Sequence, residues 1–339
     1  MFRHGASSLQ WASAQKKDAM TDDIPANSLD GFHRDPRAQQ ADEQVRAFFD
    51  ALNRGDELDL DGVVARNFLS YDYNGTRTRT GYKRYHRRLT QAFDGFRHDV
   101  HENIGVIVDE DLVAVRTTVA GRHVNEYAGH PASGAQVDTS ASHIFRVRDG
   151  LIVEHWQVFD TYRILVQIGA IAAAAGAWQE MLGAPSSGSA LFDERSGTDF
   201  GVHGGAGSPA ISRELQKKLW DGVFATGSKE DSEYIAEDLI SNSGWIPDGR
   251  APFLDALSSA RARKPDGRAN ATHIVAEGNM FVVRSAWDGT MVATGRDHDA
   301  SSVDIFRVEN GQLQEHWETV DQLRLYQDYG VLNADIRDE

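Results

Sequence analysis

Residues 144–169 read IFRVRDGLIVEHWQVFDTYRILVQIG, and residues 305–330 read IFRVENGQLQEHWETVDQLRLYQDYG. The two strings align at one constant offset. Ile144/Ile305, Phe145/Phe306, Arg146/Arg307 and Gly150/Gly311 coincide, as do Glu154-His155-Trp156 and Glu315-His316-Trp317, Asp160/Asp321, Arg163/Arg324 and Gly169/Gly330. A repeat of this length marks a duplicated domain, and the period is too long for a solenoid. Upstream, Ala114-Val115-Arg116 echoes Val282-Val283-Arg284, and each unit opens on helix-spaced apolar residues. These are Val45, Phe48, Phe49 and Leu52 in the first copy, and Leu215, Leu219, Val223 and Phe224 in the second.

Working outward, segments 97–108, 111–124, 136–147 and 151–160 carry strand signals, as do 270–277, 279–288, 297–308 and 312–321 in the second copy. Helices first and a sheet afterwards predict an α+β domain with helices against one face of a curved antiparallel sheet. Residues 1–39, polar and without period, are read as a disordered tail in which Met20 offers an internal start. The first domain is expected over 40–171 and the second over 212–333. The Gly-, Ser- and Ala-rich stretch 172–211 is read as a flexible linker.

The 339 residues suit two domains. Acidic residues number 51 against 35 basic ones, for a net charge of −16, which disfavours nucleic acid and anionic membrane as partners. The absence of cysteine excludes disulfides, thiolate metal sites and cysteine nucleophiles. It fits a reducing compartment, and no leader or membrane span is expected, so the cytoplasm is the expected location. Neither H-E-x-x-H nor G-x-S-x-G occurs, and no metal site is expected.

The turn at 148–150 decides which side chains of the hairpin share a face. A two-residue turn pairs Arg148 with Leu151. A three-residue loop pairs Val147 with Leu151, Phe145 with Val153 and His143 with His155, and it is preferred because it gathers the apolar residues together. On that register His143, His155 and Gln157 point inward in the first copy, and Asp304, His316 and Glu318 in the second. Asp304 opposite His316 would orient the imidazole, with Glu318 one step beyond as a proton-transfer group. The alternative reading is a buried polar pair that only sets register. Trp156 and Trp317 fall on the other face, where packing between the two sheets is expected. Glu154 with Arg146 and Glu315 with Arg307 are read as ion pairs on that face. Asp160 and Asp321 are read as helix caps. The run Arg77, Arg79, Lys83, Arg84, Arg87, Arg88 is read as a solvated helix face, or more sharply as an anion clamp.

The hairpin string, with Asn53-Arg54-Gly55-Asp56, Phe93-Asp94-Gly95-Phe96-Arg97, Val113–Arg116, Tyr127-Ala128-Gly129-His130-Pro131 and Ile246-Pro247-Asp248-Gly249-Arg250, resembles the SnoaL-like polyketide cyclases, or ester cyclases. These belong to the nuclear-transport-factor-2-like superfold. The resemblance implies two tandem cone-shaped domains that act without a cofactor on a small apolar carbonyl or polyketide-like substrate. It implies aldol-type cyclisation, isomerisation or dehydration, with epoxide or ester hydrolysis and plain hydrophobic-ligand binding as the alternatives. In the family the acid/base is an Asp just after the Trp, helped by a His on the preceding strand. Gln157 takes the acid/base place in the first copy and Glu318 in the second. His143 matches the helper, and Asp304 stands in its place in the second copy. The family often carries His-Asp or His-Asn where Tyr71-Asp72 stands here, which makes Asp72 a candidate base. Tyr71, Tyr82, Tyr85, Phe145 and Asn242 are then expected to line the pockets. Dimers through the sheets are common in the superfold, so an intramolecular pseudo-dimer is expected, with a homodimer as a further option.

Overall fold

The computed structural model describes residues 34–55, 60–72, 74–171 and 207–332. Met20, most of the expected tail and the 172–206 part of the expected linker lie outside the described residues. The tail reading does not extend to residues 34–39. Asp35 caps a helix there, its carboxylate accepting from the backbone N–H of Arg37 and Ala38 (2.8 and 2.9 Å), and Pro36 supplies the preset first turn.

That helix, α1 (Pro36–Arg54), buries Val45, Phe48, Phe49 and Leu52 and stops at Gly55 in the left-handed conformation. It is followed by α2 (Leu60–Val63), β1 (Val64–Asp72), β2 (Gly75–Thr78), α3 (Arg79–Ala92), β3 (Phe93–Val100), β4 (Val106–Asp109), β5 (Leu112–His123), β6 (Gln136–Arg148), β7 (Leu151–Phe159) and α4 (Thr161–Gln167). The second copy is shorter. It comprises α5 (Pro209–Leu219) continued by a π-helical turn (Trp220–Phe224), β8 (Ile235–Asn242), α6 (Arg250–Arg263), β9 (Arg268–Glu277), β10 (Met280–Asp288), β11 (Ala300–Glu309), β12 (Gln312–Val320) and α7 (Gln322–Asp328).

The first sheet runs β2-β1-β7-β6-β5-β3 with β4 also on β5, and the second runs β8-β12-β11-β10-β9. Both are antiparallel except at one seam: the first strand of each domain joins the last in parallel, β1 on β7 and β8 on β12. The expected strand 97–108 divides in two at 101–105, because β3 and β4 pair with different stretches of β5. Helices and inward-facing side chains fill one concavity with Phe48, Phe68, Tyr82, Phe93 and Phe145, and the other with Trp220, Phe253, Phe281 and Phe306.

The hairpin register differs from the preferred one. Asp149 and Gly150 both have positive φ (52° and 72°), and Arg148 pairs with Leu151 across a two-residue turn. A bulge then skips Val153, so that Arg146 opposes Glu154, Phe145 opposes His155 and His143 opposes Gln157. The second copy repeats the device at Asn310-Gly311, skipping Gln314 and setting Phe306 against His316 and Asp304 against Glu318. Beyond the bulge His143, His155, Gln157, Asp304, His316 and Glu318 keep the face the sequence suggested while their partners change, but on the turn side Ile152 and Leu313 enter the cores, where Leu151 and Val153 were expected in the first copy.

The outer faces of the two sheets pack together. Ile107, Ala114, Ile144 and Trp156 meet Val275, Val282, Ile305 and Trp317 in one apolar cluster. The seam is also tied by polar bonds. Arg34 reaches Glu277 through two bonds of 2.6 and 2.8 Å, the backbone N–H of Val108 donates to Glu277 (2.8 Å), and that of Ala276 donates to Asp109 (2.9 Å). Arg116, almost wholly buried, donates to the carbonyl of Glu318 (2.9 Å) and to the Thr319 hydroxyl. Arg146 pairs with Glu154 (2.8 Å) and Arg307 with Glu315 (3.4 Å), and Asp160 and Asp321 cap α4 and α7. Among the described residues, no helix is long and apolar enough to cross a membrane.

Candidate active site

In the first domain the inward side chains of neighbouring strands join into one polar chain. Ser70 Oγ lies 3.1 Å from His155 Nδ1, His155 Nε2 lies 3.0 Å from His143 Nδ1, and His143 Nε2 lies 3.1 Å from Thr117 Oγ1. A longer contact of 3.4 Å joins Thr117 to His98 Nδ1. All five groups are buried and walled by rings, with Phe145 stacked on His155 at 4.6 Å between centroids. Burial, reinforced by the charge of His98, pushes the His155 imidazole down to about 3. Burial, reinforced by His155, holds His143 well below its ordinary value, and burial with His143 and His86 does the same for His98. These imidazoles are neutral near pH 7 and act as hydrogen-bond links.

The second domain sets carboxylates in the matching positions. His316 Nε2 is 3.0 Å from Asp304 Oδ1, and Ser302 donates to the other carboxylate oxygen at 2.9 Å. Trp287 in turn donates its indole N–H to Ser302 (2.9 Å). Glu318, half-buried at the end of β12, accepts from the Ser243 hydroxyl (2.7 Å) and the Trp245 indole N–H (2.5 Å). Burial and then the charge of Asp304 raise the Glu318 carboxyl to about 8, against the opposing pull of Ser243, Trp245 and Arg116. Asp304 and His316 are each almost fully buried, whereas Glu318 keeps part of its surface in solvent.

Several expected lining residues lie elsewhere. Tyr71 is on the outer face of β1, stacked on Trp156 at 5.6 Å, because its neighbours Ser70 and Asp72 take the inward phase of the strand. Asn242 is likewise on the outer face, donating to Glu315 at 3.0 Å. Asp72 is ion-paired with Arg77, whose guanidinium sits 4.4 Å over the Tyr85 ring, so it is engaged rather than poised as a base. Arg79 and Lys83 pair with Asp61 (3.2 and 2.6 Å), which takes three members of the basic run out of an anion clamp. Phe145 and Tyr82 are core residues, and Tyr82 packs edge-on against His155 at 5.5 Å. Tyr85 borders a cavity of about 450 Å³ outside the cone, and Gln157 is buried opposite His143. A cavity of about 990 Å³ opens between the domains beside Arg34, Asp109 and Glu277, and His143, His316 and Glu318 do not line it. Aromatic side chains fill the cones, and Glu318 is the member of the second polar row that keeps part of its surface in solvent.

Ser70, Thr117 and Ser302 escaped the sequence reading. Ser302 precedes Asp304 by two residues and so shares its face, a signal that strand alternation carries. Ser243 and Trp245 sit in the loop after β8, where no periodicity announces direction. Among the described residues no group of three or more His, Asp or Glu side chains has the geometry to hold a metal ion.

The family described as SnoaL-like polyketide cyclase matches residues 43–168 and again residues 220–329. Among solved structures, IdmH from Streptomyces antibioticus is 27% identical, covering 38% of this chain and 99% of its own, with a TM-score of 0.35. TsrD from Streptomyces laurentii is 26% identical over 41% of this chain and 100% of its own, with a TM-score of 0.36. A SnoaL-like protein from Jannaschia Sp. CCS1 is 23% identical over 42% of this chain and 99% of its own, with a TM-score of 0.38. No curated protein matches the chain. The repeated hairpin, the two α+β sheets with their inward polar rows and the double family match lead to one conclusion: the chain belongs to the SnoaL-like polyketide cyclase family, with two such domains in tandem.

Proposed function

We propose that the second domain is a cofactor-independent acid/base catalyst acting on a small apolar carbonyl compound of polyketide type, with Glu318 as its proton-transfer group. The observation that carries this reading is a half-buried carboxyl, raised to about 8, beside a second carboxylate that is itself held by His316 and Ser302. With that value, about one Glu318 in ten is ionised at pH 7. The ionised form takes a proton from the carbon next to a carbonyl. The protonated form returns a proton to oxygen or carbon as a ring closes, a double bond moves or water leaves. The Ser243 and Trp245 donors fix the carboxyl at the rim, and the Asp304 charge keeps it basic. His316 orients Asp304 from behind. The first domain serves as scaffold in this reading, because Gln157 cannot exchange a proton and its histidines are buried and neutral.

The test is deuterium exchange at the α-carbon of 2-tetralone in D₂O, followed by NMR. Glu318→Gln is expected to slow the protein-catalysed exchange at least about 10²-fold, and the wild-type rate to inflect near pH 8. An unchanged rate in a folded variant removes Glu318 from the chemistry.

A further inference from the structure

The seam between the two sheets holds a cation that the acid/base reading does not use. Arg116 on β5 is only 1% exposed, and a guanidinium withdrawn that far from water is costly unless its donors and its charge are met. It reaches from the first domain into the second, where Nη1 donates to the carbonyl of Glu318 (2.9 Å) and to the Thr319 hydroxyl. Ser142, the register partner of Arg116 on β6, shares a hydrogen bond of 2.8 Å with the same hydroxyl. Two neighbouring strands of the first sheet therefore grip β12 at one point. Strand alternation puts Thr319 on the outer face, inside the grip, and Glu318 on the inner face directly behind it.

The repeat shows that this grip is made on one side of the seam. Arg116 corresponds to Arg284, Ser142 to Val303 and Thr319 to Val158. A symmetric seam would carry Arg284 to the main chain of Gln157 and Val158. Instead Arg284 donates to Thr272 (3.0 Å) and Ser301 (3.2 Å) of its own sheet, and Val158 and Val303 lie buried in the apolar cluster of the seam. The polar grip stands behind the carboxyl of Glu318, and an apolar pair takes its place behind the neutral amide of Gln157. The groups that face the Glu318 carboxyl come from three places. Asp304 on β11 opposes its ionisation, whereas Ser243 and Trp245 after β8, and Arg116 across the seam, favour it.

We propose that Arg116 is a positioning residue for Glu318, through which the first domain enters the acid/base site of the second: its guanidinium fixes the main chain at Glu318 and lends the carboxyl a cation from across the seam. The inference rests on the reading of Glu318 as the proton-transfer group, and it gives the first domain a part beyond that of scaffold. A buried cation acts on a nearby carboxyl with little screening by salt or solvent, so one substitution in one domain changes the protonation of a group in the other.

The experiment uses the full chain and follows the Glu318 carboxyl by carbon NMR, the signal being the one that Glu318→Gln removes. Arg116→Gln keeps a donor for the carbonyl and the hydroxyl but deletes the charge. It is expected to raise the Glu318 midpoint from about 8 by at least about half a unit, leaving about threefold less ionised carboxylate at pH 7. Arg116→Lys, which keeps the charge, is expected to return most of that shift, and Arg284→Gln at the reciprocal position to leave the midpoint where it is. A second readout needs no substitution at Arg116. The guanidinium nitrogen signals of Arg116 in the wild type are expected to inflect at the Glu318 midpoint and to stay flat over the same range in Glu318→Gln. A midpoint unmoved in folded Arg116→Gln, an equal shift in Arg284→Gln, or guanidinium signals blind to the ionisation of Glu318 each overturn the proposal. Exchange of 2-tetralone unaffected by Glu318→Gln overturns the catalytic reading instead, a result separate from both titrations.

Discussion

The two cones share a register and differ in what the register holds. In both, a two-residue turn and a bulge set an aromatic ring of the sixth or eleventh strand against a histidine of the next, Phe145 with His155 and Phe306 with His316. The residues one step further are His143 and Gln157 in one domain, Asp304 and Glu318 in the other. The first pair can be neutral together and sinks into the core without penalty. The second carries two carboxyls, which a sealed interior does not tolerate, and Glu318 sits at the rim with donors from the neighbouring loop. One register thus holds a dry row of neutral groups in the first domain and a part-exposed carboxyl beside a buried one in the second.

The largest consequence concerns acid. His155 has a folded value of about 3 against about 6.5 when unfolded, so the unfolded chain binds its proton first as pH falls. The contribution is present above pH 6.5 and is lost on descending toward 3, on the order of 5 kcal/mol for this group alone. Glu318 acts in the opposite sense. Its raised folded value gives stability below pH 4.5 that is lost as pH climbs through about 8. Hydrogen exchange read by mass spectrometry is expected to show the first domain opening first at pH 5 and the second losing protection first at pH 9. The same order at both pH values breaks the comparison.

Next in size, Phe145→Ala and Phe306→Ala each remove a fully buried ring and are expected to cost about 3–5 kcal/mol in denaturant unfolding. Nearly equal losses would mark the rings as equivalent. A loss confined to one domain would mean that the stacked histidine, rather than the ring, carries that core.

Smaller is the effect of Asp304→Asn, which deletes the charge that opposes ionisation of Glu318. The Glu318 carboxyl, followed by carbon NMR, is expected to titrate at least about one unit lower, equivalent to about 1.4 kcal/mol. An unmoved value would leave burial as the whole cause. Smallest is Ser70→Ala, which leaves His155 Nδ1 without its hydroxyl partner at about 1 kcal/mol, measured by thermal unfolding of the full chain.

Most of the architecture was legible because strand alternation and duplication are properties of the string itself. Facing survived the wrong register for the same reason: His143, His155, Asp304, His316 and Glu318 sit in the phase that their apolar neighbours demand. Partnering was not legible. It depended on whether Asp149 adopts positive φ and on a bulge at Val153, and a residue skipped in a ladder leaves no mark in composition. Tyr71 and Asn242 were misassigned because a resemblance specifies a position along the chain, whereas the odd or even count from Ser70 or Ser241 decides the face. The donors to Glu318 come from a loop, where nothing periodic exists to read.

The parallel seams have a consequence for synthesis. β1 and β8 each pair with a strand made some eighty residues later, and that strand is interior to the sheet. As the nascent chain emerges, each sheet therefore exposes raw edges until its final hairpin is released, and closure of the long loop comes at the end. A chain exposed only as far as Gly150 or Gly311 leaves a half-built sheet able to pair with another chain, whereas one exposed past Phe159 or Val320 can close it.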